Sequence, residues 1–483
     1  MTLTNRAIFS IEEVITATGG KLISGPSAMS FCGVSTDSRS IVQGNIFIAL
    51  KGESYDGHDF AVAALQQGAA GLLIQNETDI GFAAGGGNAA VIMVADTLQA
   101  LGDLASAWRK KFTVPVIALT GSSGKTTTKE MIAGIIGREK NVLKTEGNLN
   151  NLIGLPLTLL GLKKEHEIAI LEMGTNTRGE IKRLTQIAAP DIALITNIGP
   201  AHLAGFGTVE AIREEKGALF LHMAGAGLVV VNVDDEAVRT IAEGWKGRKV
   251  TFGMSLDADI TAGDIEKNGV KGVRFNLSAG GKTEKVEMKT AGIHNIYNAL
   301  AAAAVAGAAG CDMATIREGL MSFRPVSGRM TIIKLRNCAF IIDDSYNANP
   351  ASMREALMTL KDLKNHHNGF VFFGDMLELG DAAAEMHRKI GILMATIGVS
   401  AVFLKGEYAA HTSAGAREGG MAEENIFLLS DETQVAEYLK KHLKKGDWIL
   451  VKGSRRMKME KITALISETF GVEAPKEKNK TIN

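Results

Sequence analysis

Val116-Ile-Ala-Leu119 runs directly into Thr120-Gly-Ser-Ser-Gly-Lys-Thr-Thr-Thr128, and the next residues place Met131, Ile132, Ile135 and Ile136 on one helical face. The stretch therefore reads as buried strand, glycine loop and helix. Gly121 and Gly124 let the backbone turn its N–H groups toward one point, and the helix N-terminus adds its dipole there. Such a loop binds anionic phosphate. Lys125 would reach the outer phosphates and Thr126 would offer its hydroxyl to Mg²⁺. The loop is a shorter form of the general G-x-x-x-x-G-K-[ST] pattern, because Leu119 stands where the first glycine belongs. An ordinary Ser/Thr-rich helix cap is the bland alternative; a strand before and a helix after argue against it.

The pattern repeats outward from this point. Ile168–Leu171, Ile192–Thr196 and Leu228–Val233 are further short apolar runs of strand type, separated by amphipathic segments. Short buried strands alternating with helices predict a mostly parallel sheet covered on both faces. A second series, Ala339–Ile342, Gly369–Phe373, Ala401–Leu404 and Trp448–Val451, predicts a smaller doubly wound unit. Before the P-loop, the chain mixes short strands (Asn45–Leu50, Ala90–Val94) with short helices and a glycine-rich loop at Gly85–Gly87. The expected fold is α/β in three domains: 1–112, a central P-loop domain over 113–323, and a Rossmann-like C-terminal domain over 324–483 ending in a charged tail, Ala474–Asn483.

Composition sets the class. A chain of 483 residues exceeds the size at which one core keeps growing. Apolar residues make up 46% and charged residues 22%, which is globular. Lys+Arg and Asp+Glu both number 53, so no net charge draws the chain to nucleic acid or an anionic membrane. Phosphate recognition must then be local. Cys32, Cys311 and Cys338 are far apart, offer no metal-ligand spacing, and suit a reducing cytosol. The N-terminal residues have no basic segment followed by an apolar core, so no signal peptide is expected. No apolar run reaches the roughly 20 residues of a membrane span.

Polar and glycine residues cluster just after the strands: Thr120-Gly121, Glu172-Met-Gly174, Asn197 to His202, Asp343 to Asn349, Gly374-Asp375, Lys405-Gly406 and Lys452-Gly-Ser454. Open α/β sheets bind ligands outside the carboxyl ends of their strands. Two such units facing each other would make a cleft. Glu172 could take Mg²⁺ directly or through water, whereas a His nitrogen such as that of His202 is an unusual partner for that ion.

The combination resembles the Mur ligase family of bacterial cell-wall synthesis. The matching stretches are Ser35-Thr-Asp-Ser-Arg39, Asp56-Gly-His-Asp-Phe60, the P-loop, Thr145-Glu-Gly-Asn-Leu-Asn-Asn151, Glu172-Met-Gly174, Asn197 to His202, Lys216 and His294-Asn-Ile-Tyr-Asn298. They continue with Gly328-Arg329, Asp343-Asp-Ser-Tyr-Asn-Ala-Asn-Pro350, Gly374-Asp-Met-Leu-Glu-Leu-Gly380 and Lys452-Gly-Ser-Arg455. The last-but-one resembles the loop of the branch that adds a dipeptide, and the Asp-Asn-Pro-Arg motif of the diamino-acid-adding branch is absent.

The resemblance implies an ATP-dependent, Mg²⁺-requiring ligase that joins D-alanyl-D-alanine to a UDP-N-acetylmuramoyl-tripeptide through an acyl phosphate. It assigns ATP to Gly121, Ser122, Ser123, Gly124, Lys125, Thr126, Thr127, Asn295, Asn298, Arg329 and Asp344. Thr126, Glu172, His202 and Lys216, the last as a carbamate, would hold the metals; Lys125, Glu172, His202, Lys216 and Arg329 would carry the chemistry. Ser35, Thr36, Asp37, Ser38, Arg39, Asp56, His58, Asn148 and Asn151 would hold the UDP-sugar, and Tyr346, Asn347, Asp375 and Glu378 the amine. Sequence alone reads Lys216 as a solvated helix lysine. A cytoplasmic monomer is the expectation. The rivals are another ligase of the family, a folylpolyglutamate-type enzyme, a P-loop ATPase or kinase, and a nucleotide-bound scaffold.

Overall fold

In the computed structural model, residues 5–52, 54–75, 89–429 and 433–473 are described. The glycine-rich loop at Gly85–Gly87 and the charged tail lie outside them. The strand Val116–Thr120 is buried along its whole length, as a strand covered by helices on both faces must be. It sits near the middle of a nine-stranded sheet. From one edge the order is Lys282–Met288, Val273–Ala279, Ile260–Lys267, Arg248–Gly253, Leu228–Asn232, Ile192–Ile195, Val116–Thr120, Ile168–Glu172 and Val142–Lys144. Seven of these strands run parallel, from Ile260–Lys267 to Val142–Lys144. The first three form an antiparallel extension.

The P-loop helix, Lys125–Ile136, buries Met131, Ile132, Ile135 and Ile136. Each such burial contributes roughly 1.5–3 kcal/mol. The Ala-rich helix Ile293–Ala308 packs across it, its small side chains permitting close approach. That approach explains Gly124. Its φ is 80°, and a Cβ there would lie 2.3 Å from Asn298 Oδ1. At Gly121, with φ of 150°, a Cβ would lie 1.9 Å from Thr196 Oγ1.

The C-terminal sheet has six strands in the order Thr331–Lys334, Phe340–Asp344, Trp448–Lys452, Gly369–Gly374, Ala401–Lys405 and Ile426–Leu428. All are parallel to their neighbours except the first. The N-terminal part holds a five-stranded sheet, Lys21–Ser24, Ala90–Met93, Gly71–Ile74, Ile46–Ile48 and Val34–Ser35. The helix Thr97–Arg109 joins it to the central unit: Trp108 Nε1 donates to Leu162 O at 3.0 Å, and Arg183 pairs with Asp103 at 2.7 Å. Central and C-terminal units also share a core, in which Leu203, Phe206 and Ile212 pack with Met376, Leu379 and Ala383. Among the described residues no helix is long and apolar enough to cross a membrane.

Candidate active site

The carboxyl ends of the central and C-terminal strands face one cleft of about 710 Å³. Its floor is the P-loop, held from beside by the end of the next strand. Ser122 N donates to Asn197 O at 3.0 Å, Ser123 N to Asn197 Oδ1 at 2.9 Å, and Thr196 Oγ1 to Ser123 O at 2.6 Å. Asn349 Nδ2 reaches Ser122 O at 3.2 Å from the C-terminal unit. Lys125 Nζ folds back onto Gly121 O at 2.7 Å. Burial pushes the Lys125 ammonium below its usual range; Glu172 opposes this and Arg329 adds to it.

Glu172 ends its strand fully enclosed rather than on the surface. Its Oε1 accepts from Asn150 Nδ2 at 2.8 Å and from Thr126 Oγ1 at 3.2 Å. Its Oε2 is buried with no hydrogen-bond partner, and Lys129 Nζ lies 3.8 Å away. An orphaned buried carboxylate oxygen beside a threonine hydroxyl suits a hard cation that keeps several water or phosphate ligands. This donor set fits Mg²⁺.

Lys216 is 1% exposed on the helix Val209–Leu221, so the solvated-lysine reading fails. Desolvation holds its amine well below the ordinary lysine range, and the charge on Lys125 lowers it further. The adjacent Glu215 is committed elsewhere, accepting from Gly179 N at 2.6 Å and Ile181 N at 2.7 Å.

Asn295 and Asn298 both face the cleft and are tied together, Asn298 Nδ2 donating to Asn295 Oδ1 at 3.1 Å. From the opposite wall, the Arg329 guanidinium stacks 4.3 Å from the Tyr346 ring centroid. Asp344 is ion-paired to Lys452, whose Nζ also donates to Asn347 O at 3.0 Å. Burial raises the Asp344 carboxyl, with Lys452 opposing it. His202 Nδ1 lies 2.5 Å from Glu378 Oε2. That bond is the main reason the Glu378 carboxyl sits below its usual range. Asn148 and Asn151 also line the cleft.

Three groups of expected residues lie elsewhere. Ser35, Thr36, Asp37, Ser38 and Arg39 occupy the N-terminal unit, where Asp37 accepts from Arg39 N at 3.0 Å and pairs with its guanidinium at 2.8 Å. Asp56 and His58 are bound to each other at 2.5 Å, and His58 Nε2 accepts from Gln75 N at 3.0 Å, so both ring nitrogens are occupied. Asp375 requires a correction. It is buried, and its carboxylate accepts from Glu407 N at 2.7 Å and Tyr408 N at 3.2 Å rather than facing the cleft. Replacing it with alanine leaves the part-buried N–H groups of Glu407 and Tyr408 without this partner, and an unpaired group shielded from water typically costs up to about 1–3 kcal/mol. Asp375→Ala should therefore lower the denaturation midpoint measurably; an unchanged midpoint would remove it from this role.

Sequence reading also passed over residues that line the cleft. Lys452 ends the strand Trp448–Lys452, Arg455 and Arg456 follow it, and Asn349 caps the helix Pro350–Lys364. Lys452, Arg455 and Asn349 stand in quoted motifs, and their place at or just after the ends of strands was the available signal.

Comparison with known proteins identifies the family. Residues 30–109 match the Mur ligase family catalytic domain, 119–306 the Mur ligase middle domain, and 328–455 the Mur ligase glutamate ligase domain. The chain is 35% identical over 441 residues to the UDP-N-acetylmuramoyl-tripeptide–D-alanyl-D-alanine ligase of Bacillus subtilis, covering 90% of this chain and 93% of that one. The chain belongs to the Mur ligase family. The Escherichia coli ligase of the same name is 36% identical over 439 residues, again 90% of this chain and 93% of the relative. Among solved Mur ligases, MurF from Acinetobacter baumannii superposes with a TM-score of 0.86 at 33% identity, covering 95% of this chain and 99% of that one. MurF ligase from Thermotoga maritima, solved in complex with ADP, gives 0.80 at 28% identity, covering 90% and 97%.

Proposed function

We propose that this chain is an ATP-dependent ligase that joins D-alanyl-D-alanine to the terminal carboxylate of a UDP-N-acetylmuramoyl-tripeptide, in peptidoglycan precursor synthesis in the cytoplasm, and acts as a monomer. The observation that carries the reading is the convergence, on one cleft, of the P-loop, the orphaned Glu172 oxygen and the cations of the C-terminal unit. The full-length similarity to ligases of that name supports the substrate pair.

The chemistry follows from what an amide needs. A carboxylate is a poor electrophile, and an amine with a reference pKa near 8 is mostly protonated at neutral pH. The tripeptide carboxylate would attack the γ-phosphorus of ATP and become an acyl phosphate. The neutral dipeptide amine would then attack the acyl carbon, and phosphate would leave. Both steps depend on positioning and charge neutralisation more than on covalent help from the protein. Lys125 and Arg329 stand on opposite walls and would spread the phosphoryl charge. Thr126 and Glu172 would hold Mg²⁺, with His202 and a carbamylated Lys216 as its further expected ligands, and the ion would supply charge neutralisation at the phosphate oxygens. Asn295 and Asn298 would meet the adenine, and Asp344 the ribose. Tyr346 and Asn347 would sit beside the incoming amine. Ser35 to Arg39, with Asp56 and His58, would shape the UDP-sugar site from the N-terminal unit, and Asn148 and Asn151 would extend it toward the cleft.

Phosphate release, measured against a matrix of UDP-muramyl peptides and amines, tests the reading. Turnover should require both the tripeptide nucleotide and the amine, with D-Ala-D-Ala preferred over D-Ala, L-Ala or a diamino acid by orders of magnitude. A site built for an amide and a carboxylate leaves its own groups unpaired when a single amino acid binds. ATP turnover without either partner would make the chain an ATPase; efficient use of a diamino acid would move it to the neighbouring branch.

A further inference from the structure

The loop Gly374–Gly380 is tied down by hydrogen bonds within the C-terminal unit. Asp375 N donates to Lys405 O at 3.1 Å, Met376 N to His387 Nε2 at 3.0 Å, and Leu377 N to Ser454 Oγ at 2.8 Å. The loop then delivers Glu378 across the cleft to the central unit. There Ala204 N donates to Glu378 O at 2.9 Å, and the carboxylate meets His202 Nδ1 at 2.5 Å. Both residues hold left-handed backbone, with φ of 56° at His202 and 64° at Glu378. Side chains other than glycine adopt this region rarely and at a cost, so two facing each other are held there by their surroundings. The apolar contact of Leu203 and Phe206 with Met376 and Leu379 lies directly behind them.

We propose that Glu378 is a positioning residue that acts through His202: its carboxylate clasps the C-terminal unit onto the P-loop unit and holds the imidazole in one orientation, with Nδ1 toward the carboxylate. This deepens the ligase reading and rests on it. An ionised carboxylate only accepts hydrogen bonds, so the ring must donate from Nδ1. Nε2 is then the ring nitrogen without a hydrogen-bond partner among the described residues, on a residue that lines the cleft. Because the two partners come from different units, His202 is oriented only when the units are closed, and the chemistry waits for closure. Glu378 is thereby spent on His202 and does not bind the dipeptide.

Glu378→Gly gives a clean test. Glycine accepts φ near 60° without penalty, so the loop keeps its shape while the carboxylate is lost. The thermal midpoint should hold or rise. The kcat should fall about tenfold or more, the usual scale for removing a carboxylate that orients a working histidine. The KM for D-Ala-D-Ala should change by less than about twofold. His202→Ala added to Glu378→Gly should cause little further loss, as expected for residues that act as one unit. Without substrates, the ring ¹⁵N signals of His202, assigned by their loss in His202→Ala, should indicate a proton on Nδ1 in the wild type and an altered state in Glu378→Gly. A raised KM with kcat retained would make Glu378 a dipeptide contact and overturn the proposal, as would additive losses or an unchanged ¹⁵N spectrum. The wild-type ligation assay separates the two readings. If the wild type does not ligate, the function reading fails whatever the spectrum gives; if it ligates and the spectrum does not change, only the clasp fails.

Discussion

Lys216→Ala should reduce ligation to less than about a hundredth of the wild-type rate, the scale on which a lost charge-stabilising group in a closed site is felt. Lys216 is 1% exposed, and no ion pair or hydrogen bond ties its amine among the described residues. An ammonium largely withdrawn from water with no ion-pair partner is costly for a fold to hold. Desolvation, with the charge on Lys125, favours the neutral amine. A neutral amine is the form that attacks carbon dioxide, and the resulting carbamate carries a negative charge near the Lys125 cation. The modification would thus turn an unfavourable cation into an anion paired with Lys125. A short carboxylic acid supplied to Lys216→Ala should restore part of the rate by standing in for the missing anion. Growth or incubation with ¹³C-bicarbonate should give a carbamate carbonyl signal in the wild type that is absent from the variant. Wild-type activity in Lys216→Ala would leave the lysine as a buried structural residue and end the carbamate reading.

The parts of this molecule that sequence made legible are those written locally. Strand Val116–Thr120 is buried on both faces, so its residues are continuously apolar, and the glycines after it announce the turn. The same holds for the strands at Ile168–Glu172, Ile192–Ile195 and Trp448–Lys452. The antiparallel hairpin Val273–Ala279 and Lys282–Met288 was missed, although Val273, Phe275 and Leu277 alternate with less buried residues and Gly280-Gly281 makes the turn. Its period of two was present but is weak beside the apolar blocks around it. Other features had no local trace. Lys216 follows two glutamates and looks like a solvated face; only packing of its helix against the sheet encloses it. The Lys452–Asp344 pair joins two adjacent parallel strands far apart in the chain. Asp375 and Glu378 are three residues apart in one loop, yet one is turned inward to the backbone of Glu407 and Tyr408 while the other crosses to His202. The direction of a loop side chain is set by partners from other elements, and no pattern in the loop itself records it.

Lys125→Ala should lower ligation by about a hundredfold or more while the fold survives. The loop contributes little to the core. Its shape is kept by Asn197, Thr196 and Asn349, none of which depends on the lysine side chain. What the substitution removes is a charge-assisted contact to phosphate in a site shielded from water, where such contacts are stronger than in bulk solvent. The ammonium now rests 2.7 Å from Gly121 O, a weak neutral partner that phosphate oxygens would readily replace. Arg329 faces it from the other wall and cannot substitute for it, because it stacks on Tyr346 and moves with the C-terminal unit. The loss should therefore appear in kcat and in ATP affinity together, with KM for D-Ala-D-Ala little changed. The denaturation midpoint should stay within the range of ordinary loop substitutions, about ±0.5 kcal/mol. Near-normal turnover in Lys125→Ala, with the fold intact, would mean that this loop does not hold the reacting phosphates.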